Sequence, residues 1–245
     1  MLYYRYDGSF CGLMAAVYQA IRSKQHPIEF LGPDSPAEDL FGDYVTPAAD
    51  EAVAEQFIKY IILRMGDAAL GNIMYCYLSE AADAGSWIYN YIRAGLRIGK
   101  DIDSHLTDEN VKPLHDIVFK VKKERYRMLG LVRFRLVEKN LYYAAIEPDH
   151  NITGLIAPHF ARRLADQNWL IHDTRRNIAV RYDRKRWEII EIDIERGPQD
   201  SDRELFYQSL WKSYFKNIAI GERKNPGLQL QFIPRRYWKN LVEMS

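Results

Sequence analysis

The residues with the greatest potential for chemistry lie between positions 158 and 183. His159 stands in the stretch IAPHFARRL, and Asp173 follows in WLIHDTRR beside two arginines. A histidine titrates near neutral pH and a carboxylate can accept a proton, so this pair could perform acid–base catalysis. The alternative is structural, with His159 hydrogen-bonded at a helix end and Asp173 paired with Arg176. The residue types alone leave both interpretations open.

Patterns typical of metal sites and of nucleophilic catalysis are missing from the sequence. No two histidines lie four residues apart, and no Cys-x-x-Cys pair is present, so no metal is expected. The stretch DGSFCG opens a helix after a strand but lacks the glycine and lysine spacing of phosphate-binding loops. We therefore expect no cofactor, and the sequence leaves open whether the protein is an enzyme.

Cysteine usage and hydropathy bear on the cellular compartment. The two cysteines, Cys11 and Cys76, are typical of buried thiols in a reducing environment. No stretch approaches the roughly 20 apolar residues of a membrane span, and the N-terminal MLYYRYDGSF has no charged leader. We expect a cytoplasmic protein.

Positive charge is concentrated in the later part of the chain, although the net charge is only +1. Residues 111–139 carry 9 Lys and Arg against 3 Asp and Glu, and residues 175–186 carry 6 against 1. A surface of one sign attracts polyanions, so these segments are candidates for contact with nucleic-acid phosphates. The tail RRYWKN adds aromatic rings, which can stack on unpaired bases. The alternative is a solvated helix face with exposed hairpin edges.

Hydrophobic periodicity predicts an α+β protein with a mostly antiparallel sheet and a helical lobe packed beside it. Three helices are expected at 49–99, and an amphipathic helix from about 107 to 129 with lysines on its outer face. The period then changes to two, which predicts a strand pair, a short helix containing His159 and a meander of three strands. A long helix is expected at 202–220 and a short one from Pro234. We expect a single domain, residues 1–245, with the helical lobe at about 49–129.

The environment of His159 depends on where its helix begins. Proline is common in the first turn of a helix, so Pro158 predicts that the helix starts just before His159. The ring would then lie near the positive helix end and two arginines, which would lower its pKa and keep it neutral. A neutral imidazole could accept a proton or a hydrogen bond from a substrate beside a bound phosphate.

Four stretches of the chain resemble a bacterial family named probable DNA metabolism proteins. They are YDGSFCGLMAAVY, ERYRMLGLVRFR, IAPHFARRLADQNWLIHDTRRNIAVRYD and LWKSYFKNIAIGERKNPGLQLQFIPRRYW, in the family's order. Genes of that family tend to lie beside a putative radical SAM protein of DNA modification or repair, and some members are fused to a uracil-DNA glycosylase domain. The resemblance therefore implies DNA metabolism or repair, with DNA, a radical SAM repair protein and a uracil-DNA glycosylase as partners.

The polar residues of these stretches are the candidates for nucleic-acid contact. They are Arg127, Arg133, Arg163, Arg176, Arg223, Asn225, Arg235 and Tyr237. The leading hypothesis is a DNA-binding accessory protein in repair. A second is a nucleic-acid-processing enzyme that uses His159 or Asp173 as acid or base. A third is a scaffold that holds a partner through the helical lobe without touching nucleic acid.

Overall fold

The computed structural model describes residues 1–33, 35, 41–138, 140–192 and 233–241. The chain divides into two compact units, Met1–Lys122 and Lys123–Ser245. Helices and two sheets are both present, which confirms the α+β class. That the chain forms a single domain stays a prediction. None of the described helices combines the length and the apolar character that crossing a bilayer requires.

The first unit begins with a small parallel sheet. Its strands are β1 (Leu2–Arg5), β2 (Glu29–Leu31) and β3 (Asp43–Val45), and β1 lies between the other two. Both neighbours run parallel to β1. Helix α1 (Phe10–Arg22) follows the stretch DGS, and its first turn is capped by the Ser9 hydroxyl, which accepts the N–H of Gly12. This sheet departs from the predicted antiparallel arrangement, because α1 returns the chain to the edge where β1 began.

Three helices follow, as the periodicity predicts. They are α2 (Glu51–Met65), α3 (Asp67–Tyr77) and α4 (Ala84–Ile98). Their buried stripes form one core with α1, in which Leu13, Ile61, Ile73, Ile88 and Ile92 are fully buried. A 3-10 turn, Ile102–Ser104, comes next. The three helices predicted at 49–99 are therefore confirmed, and the packing of their apolar stripes stabilises them.

Helix α5 (Lys112–Leu131) is the longest described helix. It begins later than predicted, because residues 105–111 form turns in which Asp108 accepts the backbone N–H of Asn110. Its apolar stripe, represented by Leu114, Val121 and Met128, is buried as the amphipathic pattern predicts.

The second unit is built on a five-stranded sheet. In spatial order its strands are β4 (Arg135–Glu138), β5 (Leu141–Ile146), β6 (Asn168–Asp173), β7 (Ile178–Tyr182) and β8 (Trp187–Glu191). The β4–β5 hairpin and the β6–β7–β8 meander confirm the predicted strand pair and strand triple. β5 and β6 are parallel, so the sheet is mixed. The connection between them is α6 (Thr153–Arg163), because a parallel pair needs a crossover that returns to the starting edge.

The predicted start of α6 is wrong. The helix begins at Thr153, so Pro158 lies inside it and His159 in its second half. The proline has no N–H to give to the carbonyl of Gly154, yet the helix continues through it. His159 is therefore not near the positive helix end, and the argument for a neutral ring from the helix dipole no longer holds.

The last described segment is a 3-10 helix, Arg235–Asn240, which confirms the short helix predicted from Pro234. The long helix predicted at 202–220 lies outside the described residues. Beneath α6, Trp169 is fully buried, with its ring stacked on Tyr182 at a centroid distance of 5.1 Å and edge-on to Phe160 at 6.5 Å. This aromatic packing fixes α6 on the sheet and thereby sets the ends of β5 and β6.

Candidate functional site

A buried carboxylate, Glu124 of α5, joins two other segments of the second unit. Its Oε1 accepts the N–H of Asp149 at 2.8 Å, and its Oε2 accepts the N–H of His150 at 2.9 Å. Oε2 also lies 2.5 Å from Nδ1 of the His150 ring, and Oε1 accepts the hydroxyl of Tyr237. Burial raises the pKa of Glu124, but these hydrogen bonds outweigh it and lower the pKa to about 2. Glu124 is therefore ionised at neutral pH.

Arg176 holds the other side of loop 147–152, which connects β5 to α6. One guanidinium nitrogen donates to the carboxylate of Asp173 at 2.9 Å and to the carbonyl of Pro148 at 3.1 Å. The other donates to the carbonyl of Asp149 at 2.9 Å. Asp173 also accepts the backbone N–H of Arg175 at 3.0 Å and is fully buried. This pair therefore fixes the turn after β6 to the loop after β5.

The 3-10 helix Arg235–Asn240 contributes two side chains to the same loop and a third to Glu124. Arg236 pairs with the carboxylate of Asp149 at 2.6 Å, and Lys239 pairs with Glu147. Tyr237 lies between these cations in the chain and reaches Glu124. Burial, and then the hydrogen bond to the Glu124 carboxylate, raise the pKa of Tyr237, so its hydroxyl stays protonated as a donor.

This cluster lies where a parallel sheet usually offers a ligand site. In open parallel sheets, ligands bind beyond the carboxyl ends of the strands. The parallel strands β5 and β6 end here at Ile146 and Asp173, but loop 147–152 and Arg176 occupy the position. The chemistry of the cluster is consequently the internal joining of segments by charge and hydrogen bonds.

Three of the ten predicted site residues meet in this cluster: Asp173, Arg176 and Tyr237. Their polar groups are already bound to other parts of the protein. Those contacts favour a structural role for all three, because a substrate or phosphate would have to displace buried partners. Catalysis by Asp173 and DNA contact by Arg176 and Tyr237 stay predictions.

The remaining predicted residues do not join the cluster. Arg133 donates to the carbonyl of Gly130 at 2.7 Å near the end of α5. Arg163 is exposed at the end of α6, and Arg235 is exposed on the 3-10 helix, with its guanidinium 6.0 Å from the centre of the Trp238 ring. Arg127 lies half-buried on the outer side of α5. Arg223 and Asn225 lie outside the described residues.

His159 packs edge-on against the ring of Phe160 at a centroid distance of 5.0 Å. Its Nε2 is buried and has no hydrogen-bond partner among the described residues. The structure therefore places it inside α6 and not in the helix cap that the structural alternative predicts. Burial of a ring nitrogen without a hydrogen bond is unfavourable. The described contact by which His159 stabilises the fold is therefore its packing against Phe160.

We expect His159→Leu to keep the free energy of unfolding within about 1 kcal/mol of the wild-type value or to raise it. The substitution removes a buried polar atom that makes no hydrogen bond and keeps an apolar side chain beside Phe160. Urea unfolding measures the change. A loss of more than about 2 kcal/mol would contradict the prediction, because it would mean that the ring makes a hydrogen bond that stabilises the fold.

The outer surface of α5 combines cations with two exposed aromatic rings. Phe119 is 67% exposed and Tyr126 is 78% exposed. Lys123 lies between them in the chain, four residues after the first and three before the second, so all three share one side of the helix. Exposed rings beside cations form a surface that can bind phosphates and stack on bases.

Sequence reasoning missed Glu124 and His150. A signal for Glu124 was present, because it lies four residues before Met128 and seven after Ile117, on the buried side of α5. Its position among five cations in residues 117–131 instead suggested the solvated face. No local signal marks His150, whose partner is 26 residues away.

The first unit contains a second polar cluster that sequence reasoning missed. Oδ1 of Asp103 accepts the Tyr91 hydroxyl at 2.6 Å and the Asn72 amide at 3.1 Å, and it lies 3.0 Å from Nε2 of His115. The ammonium of Lys122 donates to the Asn72 side chain at 3.0 Å. These bonds join α3, α4 and α5 around the 3-10 turn. Among the described residues no group of three or more His, Cys, Asp or Glu is arranged to hold a metal ion.

Among the described residues, the fold is α+β and the outer side of α5 carries cations and aromatic rings. The chain belongs to the family described as domain of unknown function DUF4130, whose model matches residues 82–243. The matched region contains α4, α5 and the whole five-stranded sheet. No curated protein matches the chain.

Proposed function

We propose that this protein binds DNA as an accessory protein in DNA metabolism or repair. The observation that carries the proposal is the outer face of α5, where Lys120 and Lys123 are exposed beside Phe119 and Tyr126. The family resemblance supports the same function and adds a radical SAM repair protein or a uracil-DNA glycosylase as the proposed partner.

The charge balance of α5 supports binding of a polyanion. Residues 117–131 contain five Lys and Arg and a single acid, Glu124. The carboxylate of Glu124 faces inward, where it is bound by the His150 ring, two backbone N–H groups and the Tyr237 hydroxyl. Because that negative charge is buried and used internally, the outer face of this stretch is positive, which attracts phosphates.

An enzyme that uses His159 and Asp173 has less support. Asp173 is fully buried and bound to Arg176. Nε2 of His159 is also buried, and His159 lies in the second half of α6, away from the start of the helix. A general acid or base must come within hydrogen-bond reach of its substrate. The burial of these two side chains therefore favours DNA binding over catalysis as the function of the protein.

We expect binding to single- or double-stranded DNA to weaken steeply with salt. If about six phosphates are engaged, the slope of log affinity against log salt for duplex DNA is about −5. Titration of labelled single- and double-stranded DNA at several salt concentrations measures this slope. In the variant Lys120→Glu/Lys123→Glu the slope should become shallower by about 2, because two phosphate contacts are lost.

The matched control for this charge reversal is Lys59→Glu on α2. Lys59 is an exposed lysine whose only described ion pair is with Glu55 at 2.9 Å on the same helix. Each lysine-to-glutamate substitution changes the net charge by the same amount. An equal effect of Lys59→Glu on the salt dependence of DNA binding would therefore indicate a non-specific effect of charge. If neither DNA form is bound at low salt, the proposed function is wrong.

A further inference from the structure

We infer that one end of the five-stranded sheet binds the phosphate backbone of DNA. This surface, the basic end, is formed by turn 183–186 between β7 and β8 and by the last turn of α6. Its cations are Arg162, Arg163, Arg184, Lys185 and Arg186. The inference rests on the proposed function and adds a second DNA contact, made by other residues than those of α5.

The fold brings these two basic segments to the same end of the sheet. Tyr182, the last residue of β7, pairs with Trp169 near the start of β6, and its hydroxyl donates to the carbonyl of Ala165 at 3.4 Å. Ala165 comes two residues after the end of α6, whereas Tyr182 directly precedes turn 183–186. The end of α6 and the turn are therefore neighbours in space, although they are distant in sequence.

The turn is fixed by its own acid. Oδ1 of Asp183 accepts the backbone N–H of Lys185 at 2.9 Å and that of Arg186 at 2.8 Å. The N–H of Arg186, then that of Lys185, lower the pKa of Asp183, so the carboxylate is ionised and keeps these bonds at neutral pH. Because the backbone of the turn is already ordered, little conformational freedom is lost when a ligand binds.

The cations of the basic end are available to a ligand. All five side chains are exposed, and none of them makes a hydrogen bond or an ion pair with another described residue. In the adjoining strands, Arg181 pairs with Glu188, so the uncompensated charge is confined to the turn. At the opposite end of the sheet, by contrast, Arg176 and Arg236 are bound to loop 147–152.

The charge balance and the residue types favour phosphate as the ligand. Residues 162–168 and 181–188 carry six Lys and Arg against three acids. Two of these acids are engaged as described above, and the third, Asp166, accepts a hydrogen bond from the side chain of Gln167 at 3.1 Å. Four of the five cations of the basic end are arginines, whose planar fork of donors matches the oxygens of a phosphate. Phosphate contacts carry no sequence information, so this surface should bind DNA of any sequence.

The experiment neutralises the turn with Arg184→Gln/Lys185→Gln/Arg186→Gln, which keeps the backbone N–H groups that Asp183 accepts. Labelled duplexes of two different sequences are titrated at several salt concentrations. The slope of log affinity against log salt should become shallower by about 2 for both sequences, as expected if two of the three side chains reach phosphates. Arg162→Gln/Arg163→Gln should make it shallower by about 1, for one lost contact.

A matched triple variant controls for the loss of charge. Arg22→Gln/Lys24→Gln/Lys100→Gln removes three exposed cations from the first unit. Lys24 has a φ of 53°, and Arg184 has a φ of 72°, so each set contains one residue with a left-handed backbone. The control should leave the slope unchanged, and Arg184→Lys/Arg186→Lys, which keeps the charge of the turn, should retain the wild-type slope. Unfolding curves of every variant establish that the fold is retained.

The outcomes separate this inference from the proposed function. An unchanged slope in the turn variant, with a shallower slope in Lys120→Glu/Lys123→Glu, would refute the inference and leave the proposed function standing. An equal change in the control triple variant would also refute it, because the effect would then be one of net charge. Binding to phosphatidylserine vesicles that the turn variant loses, while its DNA binding stays intact, would assign the basic end to a lipid surface instead. Absence of DNA binding by the wild-type protein at low salt would reject both.

Discussion

Replacing Glu124 with alanine is expected to lower the free energy of unfolding by about 3–5 kcal/mol. The substitution leaves the backbone N–H groups of Asp149 and His150 and the hydroxyl of Tyr237 without their acceptor. Each buried donor that loses its partner costs about 1–3 kcal/mol, although the losses are not additive. Urea unfolding of wild type and variant measures the difference.

Two variants test the cause of this loss. Glu55→Ala removes a carboxylate that is exposed and paired with Lys59 on one helix, so it should change the free energy of unfolding far less than Glu124→Ala does. Glu124→Gln keeps the shape and one acceptor but not the charge, and it should fall between wild type and Glu124→Ala. If Glu124→Ala unfolds like Glu55→Ala, the buried cluster does not hold the loop as described.

The low pKa of Glu124 also predicts how stability depends on pH. Its folded pKa is lowered from 4.5 to about 2, so the folded state binds the proton more weakly than the unfolded chain. The resulting stabilisation, on the order of 3 kcal/mol, is present above the unfolded pKa and is lost as the pH falls from about 5 to about 2. Unfolding curves of Glu124→Gln should accordingly depend less on pH in this window than those of wild type.

The substitution Asp173→Ala is expected to lower the free energy of unfolding by about 3 kcal/mol. It leaves the guanidinium of Arg176 buried without its carboxylate, although the carbonyls of Pro148 and Asp149 still accept from it. The backbone N–H of Arg175 also loses its acceptor. The loss measured in urea should exceed that of any substitution of an exposed ion pair.

The turn between β7 and β8 provides a matched control. Asp183 accepts the backbone N–H groups of Lys185 at 2.9 Å and Arg186 at 2.8 Å, as Asp173 does with the two residues of its own turn, but it is exposed. Asp183→Ala should therefore lower the free energy of unfolding clearly less than Asp173→Ala does. A similar cost for both substitutions would show that the buried ion pair adds nothing.

The double substitution Asp173→Leu/Arg176→Met completes the test. Removing both charges avoids leaving one of them buried alone, so the double variant should lose less stability than the sum of the two single changes. Additive losses would mean that the two side chains act independently. If the variant Asp173→Leu unfolds like wild type but no longer binds DNA, the functional interpretation of Asp173 is favoured instead.

The elements that the sequence predicts correctly are those whose pattern is local. The alternation in residues 168–191 specifies three strands, because neighbouring side chains on a strand face opposite sides of the sheet. The stripe containing Leu114, Val121 and Met128 specifies α5 in the same way, through the period of the helix. The composition of α5 likewise indicates a cationic outer surface before any fold is known.

Other features follow from contacts between distant segments. The parallel sheet around β1 depends on β3, a strand of three residues that has too little pattern to be recognised. The start of α6 follows from how loop 147–152 is held, and the proline signal alone placed it five residues too late. Whether Phe119 and Tyr126 are exposed also depends on what packs against α5.

The sequence by itself determined the class of fold, most of its helices and strands and the excess of cations on α5. Only the tertiary structure decided that Glu124 is buried and that Tyr237, 113 residues further along, donates to it. The physical reason is that helix and strand periods depend on neighbouring residues, whereas the environment of a charge depends on which segments meet around it. Glu124 has the same side chain as an exposed glutamate, and its role comes from the four donors that the fold brings to it.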